Sequence, residues 1–137
     1  MLKNLLGSLL VAATMAFPYV PDVAAAETGY APQSSDKQSI KITAAPQNVP
    51  GAEKSLDFEV TMESHTQDIG DDLNKSALLI ADGKQYLPSA WEGAPPGGHH
   101  RKGLLRFKSI AQPPSSIELQ IRLTNDAAPR SFKWQLK

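Results

Sequence analysis

The three histidines of this 137-residue chain are confined to two short segments, and their spacing suggests a specific chemistry. His65 follows a predicted strand, and His99 and His100 follow a pair of glycines. Imidazole is the commonest metal ligand among side chains, and two or three neutral imidazoles with a carboxylate suit Cu(II), Zn(II) or Ni(II). Such a site would form only if the fold brought the two segments together.

The composition excludes several functional classes before any element is placed. Fourteen basic and fourteen acidic residues balance, and there is no cysteine. The balance argues against a basic surface that binds nucleic acid. Without thiolates there is no cysteine-based metal site, redox pair or catalytic nucleophile. We therefore expect no nucleic-acid partner and no metal held by thiolates.

The first 26 residues have the pattern of a secretory signal peptide. Lys3 supplies the positive charge, an apolar run covers 5–17, and the three alanines at 24–26 suit a cleavage site. A retained membrane anchor is the alternative, but the run is shorter than the roughly 20 residues that a spanning helix needs. We expect a periplasmic or secreted protein with no stable membrane span after cleavage.

The remainder is predicted to form one all-β domain. Residues 27–38 are small and polar, which indicates a flexible leader, and in 39–137 apolar and polar residues alternate as in half-buried strands. Asp82-Gly83 is a strong hairpin signal, and one helical turn is expected within 71–77. The predicted strands are 40–43, 56–63, 78–80, 85–91, 105–107, 117–123 and 131–136. Seven strands predict an antiparallel sandwich of the immunoglobulin type, with a small closed barrel as the alternative.

The strand count also predicts where the histidines lie. Antiparallel strands reverse direction at each connection, so alternate loops lie at opposite ends of a sandwich. His65, His99 and His100 are therefore expected at one end, together with carboxylates of the same loops. The connections predicted to share this end are 64–76, 92–102 and 124–129.

These residues define the leading hypothesis, a copper or zinc site at the loop rim. His65 and His99 are the predicted ligands, and His100 is a third ligand or a neighbour of the site. Asp68 or Asp72 is the predicted carboxylate ligand. The alternative is a structural histidine cluster without a cofactor, on a module that binds a protein partner or the cell envelope.

Catalysis has little support in the sequence. Ser64, His65 and an aspartate that follows them in sequence are the residue types of a hydrolase triad. However, there is no nucleophile motif such as Gly-x-Ser-x-Gly. A domain of this length also leaves little room for a cleft. We expect that the protein is not an enzyme. A hydrolase is the third hypothesis, after the metal site and the binding module.

A series of motifs in the second half of the chain carries a resemblance. In order, the motifs are His65, Asp72-Leu73, Trp91, Gly97-Gly98-His99-His100, Gly103-Leu104, Phe107 and the Arg-x-Phe-x-Trp segment at 130–134. With these motifs, the stretch from Phe58 to Leu136 resembles a group of small exported bacterial proteins with an immunoglobulin-like sandwich. The resemblance implies export and this fold, and it implies no reaction.

Overall fold

The computed structural model describes residues 30–48 and 54–136, which form two packed antiparallel sheets. Within them the strands are β1 (Gln33–Lys37), β2 (Ile40–Pro46), β3 (Leu56–Ser64), β4 (Ala77–Ala81), β5 (Lys84–Tyr86), β6 (Ala90–Gly93), β7 (His100–Phe107), β8 (Ser116–Ile121) and β9 (Arg130–Gln135). One helical turn, α1 (Leu73–Ser76), precedes β4, as predicted. The expected all-β sandwich is confirmed.

The first sheet has the order β1-β2-β3-β7-β6, and the second has the order β5-β4-β8-β9. Burial alternates along β3 and β9 with the period of two that a strand requires, so one side of each strand enters the core. Across the two sheets, the ring of Phe58 lies 5.6 Å from the ring of Trp134. The apolar faces predicted for these two strands are confirmed.

The hairpin predicted at Asp82-Gly83 joins β4 to β5. The φ angles of 46° and 82° at these residues are those of a type I′ turn, which this dipeptide favours. The Asp82 carboxylate also accepts hydrogen bonds from the amides of Ser115 and Ser116, at 3.0 and 3.2 Å. This turn is therefore tied to the start of β8, at the end of the sandwich away from the histidines.

Two predicted boundaries are wrong. The leader predicted at 27–38 contains a strand, Gln33–Lys37, that pairs with β2. Its turn is formed by Gln38 and Ser39, with φ angles of 53° and 60°, and neither residue type signals a hairpin. The strand predicted at 85–91 is two strands, β5 and β6, which belong to different sheets. The described residues therefore contain nine strands instead of seven.

The predicted signal peptide, residues 1–26, lies outside the described residues, as do residues 27–29 of the predicted leader. In the part of the chain that is described, no helix has the length and apolar character needed to cross a membrane.

Candidate functional site

The loops that carry the histidines meet at the end of the sandwich where β3 finishes. The Ser64 amide donates to the His99 carbonyl at 2.8 Å, which joins the end of β3 to the start of β7. The Ile69 amide donates to the Gly98 carbonyl, and the Gly97 amide donates to the Ile69 carbonyl, both at 2.9 Å. We use the name rim for the three loop segments at this end, 65–72, 94–99 and 122–129.

The third rim segment is attached through Asp71. Its Oδ1 accepts hydrogen bonds from the Thr124 amide and hydroxyl, at 2.9 and 2.7 Å. The predicted meeting of the loops is therefore confirmed, although one predicted strand is two. The prediction holds because β5 and β6 both run towards the rim. Their antiparallel partners, β4 and β7, run away from it.

His99 and Asp68 are the two predicted ligands that the fold brings together. The distance from His99 Nε2 to Asp68 Oδ1 is 3.4 Å, and the side chains are 56% and 76% exposed. His99 follows Gly97 and Gly98, which have φ angles of 110° and 79°. Residues with a side chain rarely adopt these φ angles. The two glycines therefore allow the sharp turn that places His99 at the rim.

The other predicted ligands lie apart from this pair. His100 begins β7 opposite Glu63 on β3, and its Nδ1 is 3.4 Å from Glu63 Oε1 on the outer surface of the first sheet. Asp72 is the N-cap of α1, where its side chain accepts a hydrogen bond from the Asn74 amide at 3.0 Å. His65 is exposed just beyond β3.

The predicted ligands therefore form pairs instead of one cluster. In the described segments, no three His, Cys, Asp or Glu side chains lie close enough together to hold a metal ion. His99 and His100 have different carboxylate partners, as expected for neighbouring residues that point in different directions. The metal site and its five predicted residues remain a prediction.

Arg101 is a buried arginine beneath the rim. Its guanidinium donates to the carbonyls of Ile69 at 3.2 Å, Asp71 at 2.7 Å and Ala94 at 3.4 Å. Burial lowers the pKa of Arg101, and the charges of Asp71 and Asp72 oppose this shift without cancelling it. Because its partners belong to two rim segments, this side chain fastens both segments to β7.

Trp91 is the second support of the rim. Its ring lies 5.8 Å from the Arg101 guanidinium, and its Nε1 donates to the Ala94 carbonyl at 2.9 Å. The ring covers Gly93 and Gly103, which face each other on β6 and β7. Trp91 therefore lies next to the rim, in contact with Arg101, Ala94 and the two glycines.

A buried ion pair supports the other side of the rim. The Arg130 guanidinium binds the Asp126 carboxylate through two hydrogen bonds, at 2.9 and 3.1 Å. It also donates to the carbonyls of Lys37 and Ile40, at 2.8 and 2.6 Å. Burial raises the pKa of Asp126, but hydrogen bonds from Arg130 and the Leu123 amide outweigh this effect and bring the pKa below its ordinary value.

Sequence reasoning did not identify the two buried arginines as supports of the rim. Both stand in phase with apolar core residues, Arg101 with Leu105 on β7 and Arg130 with Phe132 on β9. A charged residue on the inward side of a strand is a signal for a buried, hydrogen-bonded group. The two-residue period could therefore have found both.

Comparison with known protein families, with characterised proteins and with solved structures finds no match for this chain.

Proposed function

We propose that this chain is an exported, non-catalytic β-sandwich protein that binds a transition metal, zinc or copper, through His99 and Asp68. The observation that carries this proposal is the 3.4 Å separation of His99 Nε2 and Asp68 Oδ1. Two ligand atoms at about 2.0–2.1 Å from a tetrahedral Zn²⁺ lie about 3.3–3.4 Å apart. The separation of the pair therefore matches that of two zinc ligands.

The backbone around the pair supports the proposal because it is held in place. Asp68 precedes Ile69, whose amide and carbonyl are both hydrogen-bonded to the opposite loop and whose side chain is 1% exposed. The carbonyl of His99 itself accepts from the Ser64 amide. With the backbone fixed, only the side chains of the two ligands have to be ordered when a metal binds.

The pair of His100 and Glu63 has the same separation but a different setting. It is one of several charge pairs between β3 and β7 on the outer surface of the first sheet; another joins Lys102 to Glu59 at 3.4 Å. Opposite charges across neighbouring strands are an ordinary device of sheet stabilisation. This setting favours His99 and Asp68 as the metal ligands, and it makes His100 a matched control.

The test is isothermal titration calorimetry of the purified, tag-free protein with Zn(II) and with Cu(II). We expect saturable binding that is lost in His99→Ala and Asp68→Asn and is retained in His100→Ala. The variant His65→Ala tests whether His65 adds a further ligand. Saturable heat that is the same in His99→Ala and in the unchanged protein would refute the assignment.

A second candidate function is a module that binds a protein partner or the cell envelope. It is favoured by Leu87, a large apolar side chain that is 74% exposed. Leu87 lines a groove beside Leu78 and Pro129 on the second sheet. Photo-crosslinking from position 87 in the producing cell, with position 70 as the control, would test this candidate. Adducts at 87 alone would support it, and adducts at neither position would contradict it.

The immunoglobulin-like topology and export are part of the proposal. If β2 to β9 are lettered A, B, C, C′, D, E, F and G, the sheets have the orders A-B-E-D and C′-C-F-G, with β1 added beside A. This order corresponds to the two sheets of immunoglobulin domains. The charged and apolar pattern of residues 1–26 supports export, and so does the resemblance to small exported bacterial proteins.

A further inference from the structure

We infer that the site formed by His99 and Asp68 is half of a zinc site, and that a second copy of this chain supplies the other half. This inference rests on the metal-binding function proposed above. A structural zinc ion takes four protein ligands in a tetrahedron. The pair supplies two of them at the required separation, and two copies of the pair would complete the set.

The charges of such a site balance. Each copy contributes a neutral imidazole from His99 and one carboxylate from Asp68, so two copies bring two negative charges to the doubly positive ion. A single copy would leave a net positive charge and coordination positions for water. The second copy therefore stabilises the bound ion through both charge and coordination number.

The position of the pair suits a symmetric contact. His99 and Asp68 are 56% and 76% exposed, so a second molecule can reach both side chains. They lie on loops at one end of the sandwich, and the contact does not require a strand to change partners. Most small assemblies are two-fold dimers in which each copy offers the same surface. A zinc ion on the two-fold axis would receive the same two ligands from each copy.

The experiment is a zinc titration of the tag-free protein, followed by light scattering after size exclusion and by calorimetry. We expect the mass to double when half an equivalent of ZnCl₂ is present per chain. Excess zinc should return the protein to monomers, because each copy then binds its own ion, and a chelator should do the same. His100→Ala should behave like the unchanged protein, and His99→Ala should stay monomeric with no zinc bound.

The other outcomes separate this inference from the proposed function. A protein that stays monomeric at half an equivalent of zinc, and whose binding of one zinc per chain is lost in His99→Ala, would overturn the dimer and leave the metal-binding function standing; His65 or water would then complete the site. No zinc binding by the unchanged protein would overturn both for this metal. A zinc-dependent dimer that survives in His99→Ala but is lost in His100→Ala would assign the shared zinc to His100 and Glu63. This result would overturn the inference.

Discussion

At the scale of single residues, the buried pair of Asp126 and Arg130 joins several parts of the chain. The pair lies within four residues of sequence, yet the guanidinium also binds carbonyls on both sides of the β1–β2 turn. Removal of one partner from a buried pair leaves an uncompensated charge in a medium that solvates it poorly. This cost is larger than the loss of one hydrogen bond.

We predict that Arg130→Met lowers the free energy of unfolding by about 3–5 kcal/mol. Arg122→Met is the matched control, because Arg122 is exposed and makes only long hydrogen bonds, of 3.3 and 3.4 Å, to nearby carbonyls. Arg122→Met should change the free energy of unfolding by no more than about 0.5 kcal/mol. Urea unfolding followed by tryptophan fluorescence measures both, and equal losses in the two variants would contradict the prediction.

The pKa of Asp126 leads to a prediction about pH. Since this pKa is below its ordinary value, the ionised carboxylate stabilises the fold above its unfolded pKa of about 3.9. The contribution is lost as the pH falls through the lower, folded pKa. Asp126→Asn should therefore lower stability at neutral pH and flatten the fall in stability below about pH 4.

Urea unfolding at a series of pH values tests this prediction. Glu118→Gln is the control, since hydrogen bonds from Ser131 and then Gln120 also lower the pKa of Glu118, but on a more exposed strand surface. In Glu118→Gln, the slope of the free energy of unfolding against pH below about pH 4 should change less than in Asp126→Asn. The same slope in Asp126→Asn and the unchanged protein would show that Asp126 does not contribute to acid unfolding.

At the scale of elements, the close contact between β6 and β7 depends on two facing glycines. A Cβ atom at Gly103 would lie 2.6 Å from the Cα of Gly93 and 2.8 Å from the ring of Trp91. One obstacle is backbone, so a side-chain rotation cannot relieve the clash. The strands would have to separate, and the Trp91 ring would lose the flat surface on which it lies.

We predict that Gly103→Ala destabilises the protein by about 1–3 kcal/mol through overpacking. Gly70→Ala is the control, because a Cβ at that rim position has no atom within 4 Å and its φ is not positive. Thermal unfolding compares the two variants. A Gly103→Ala protein as stable as Gly70→Ala would mean that β6 and β7 have room that the structure does not show.

At the scale of the whole molecule, the order of the rim depends on a residue of the first sheet. Arg101 reaches from β7 to carbonyls of both connected loops, while Lys102, its neighbour, points outward to Glu59. We predict that Arg101→Met increases hydrogen exchange at the amides of Ile69 and Gly97 by about tenfold or more. Amides of β8 and β9 should exchange as before.

Lys102→Met provides the matched control for this measurement, since it removes a cation from the same strand without touching the rim. Its exchange at the rim should equal that of the unchanged protein. If Arg101→Met accelerates exchange throughout both sheets, the arginine stabilises the global fold and not the rim in particular. If exchange is unchanged, the backbone hydrogen bonds hold the loops without it.

The local regularities of the chain were predictable from sequence. Alternation along 56–63 and 132–136 identified two core strands, because side chains on a strand point alternately to its two sides. The hairpin at Asp82-Gly83 and the helical turn that Asp72 caps follow from local backbone preferences. The meeting of the histidine loops followed from strand direction alone, which needs no knowledge of side-chain contacts.

The β1–β2 hairpin could not be predicted in the same way. Gln38 and Ser39 adopt φ angles that these residue types disfavour, so their sequence carries no turn signal. The neighbouring carbonyls of Lys37 and Ile40 bind Arg130, about 90 residues later in the chain. A conformation stabilised by such distant residues is decided by tertiary contacts.

The sequence by itself therefore determined the all-β class, the apolar faces and the end at which the histidines lie, because each depends on local periodicity or on chain direction. Only the tertiary structure decided that His99 meets Asp68 while His100 meets Glu63. It also decided which distant carbonyls the two buried arginines bind. Such pairings depend on distances between segments far apart in sequence, and residue type and spacing do not specify those distances.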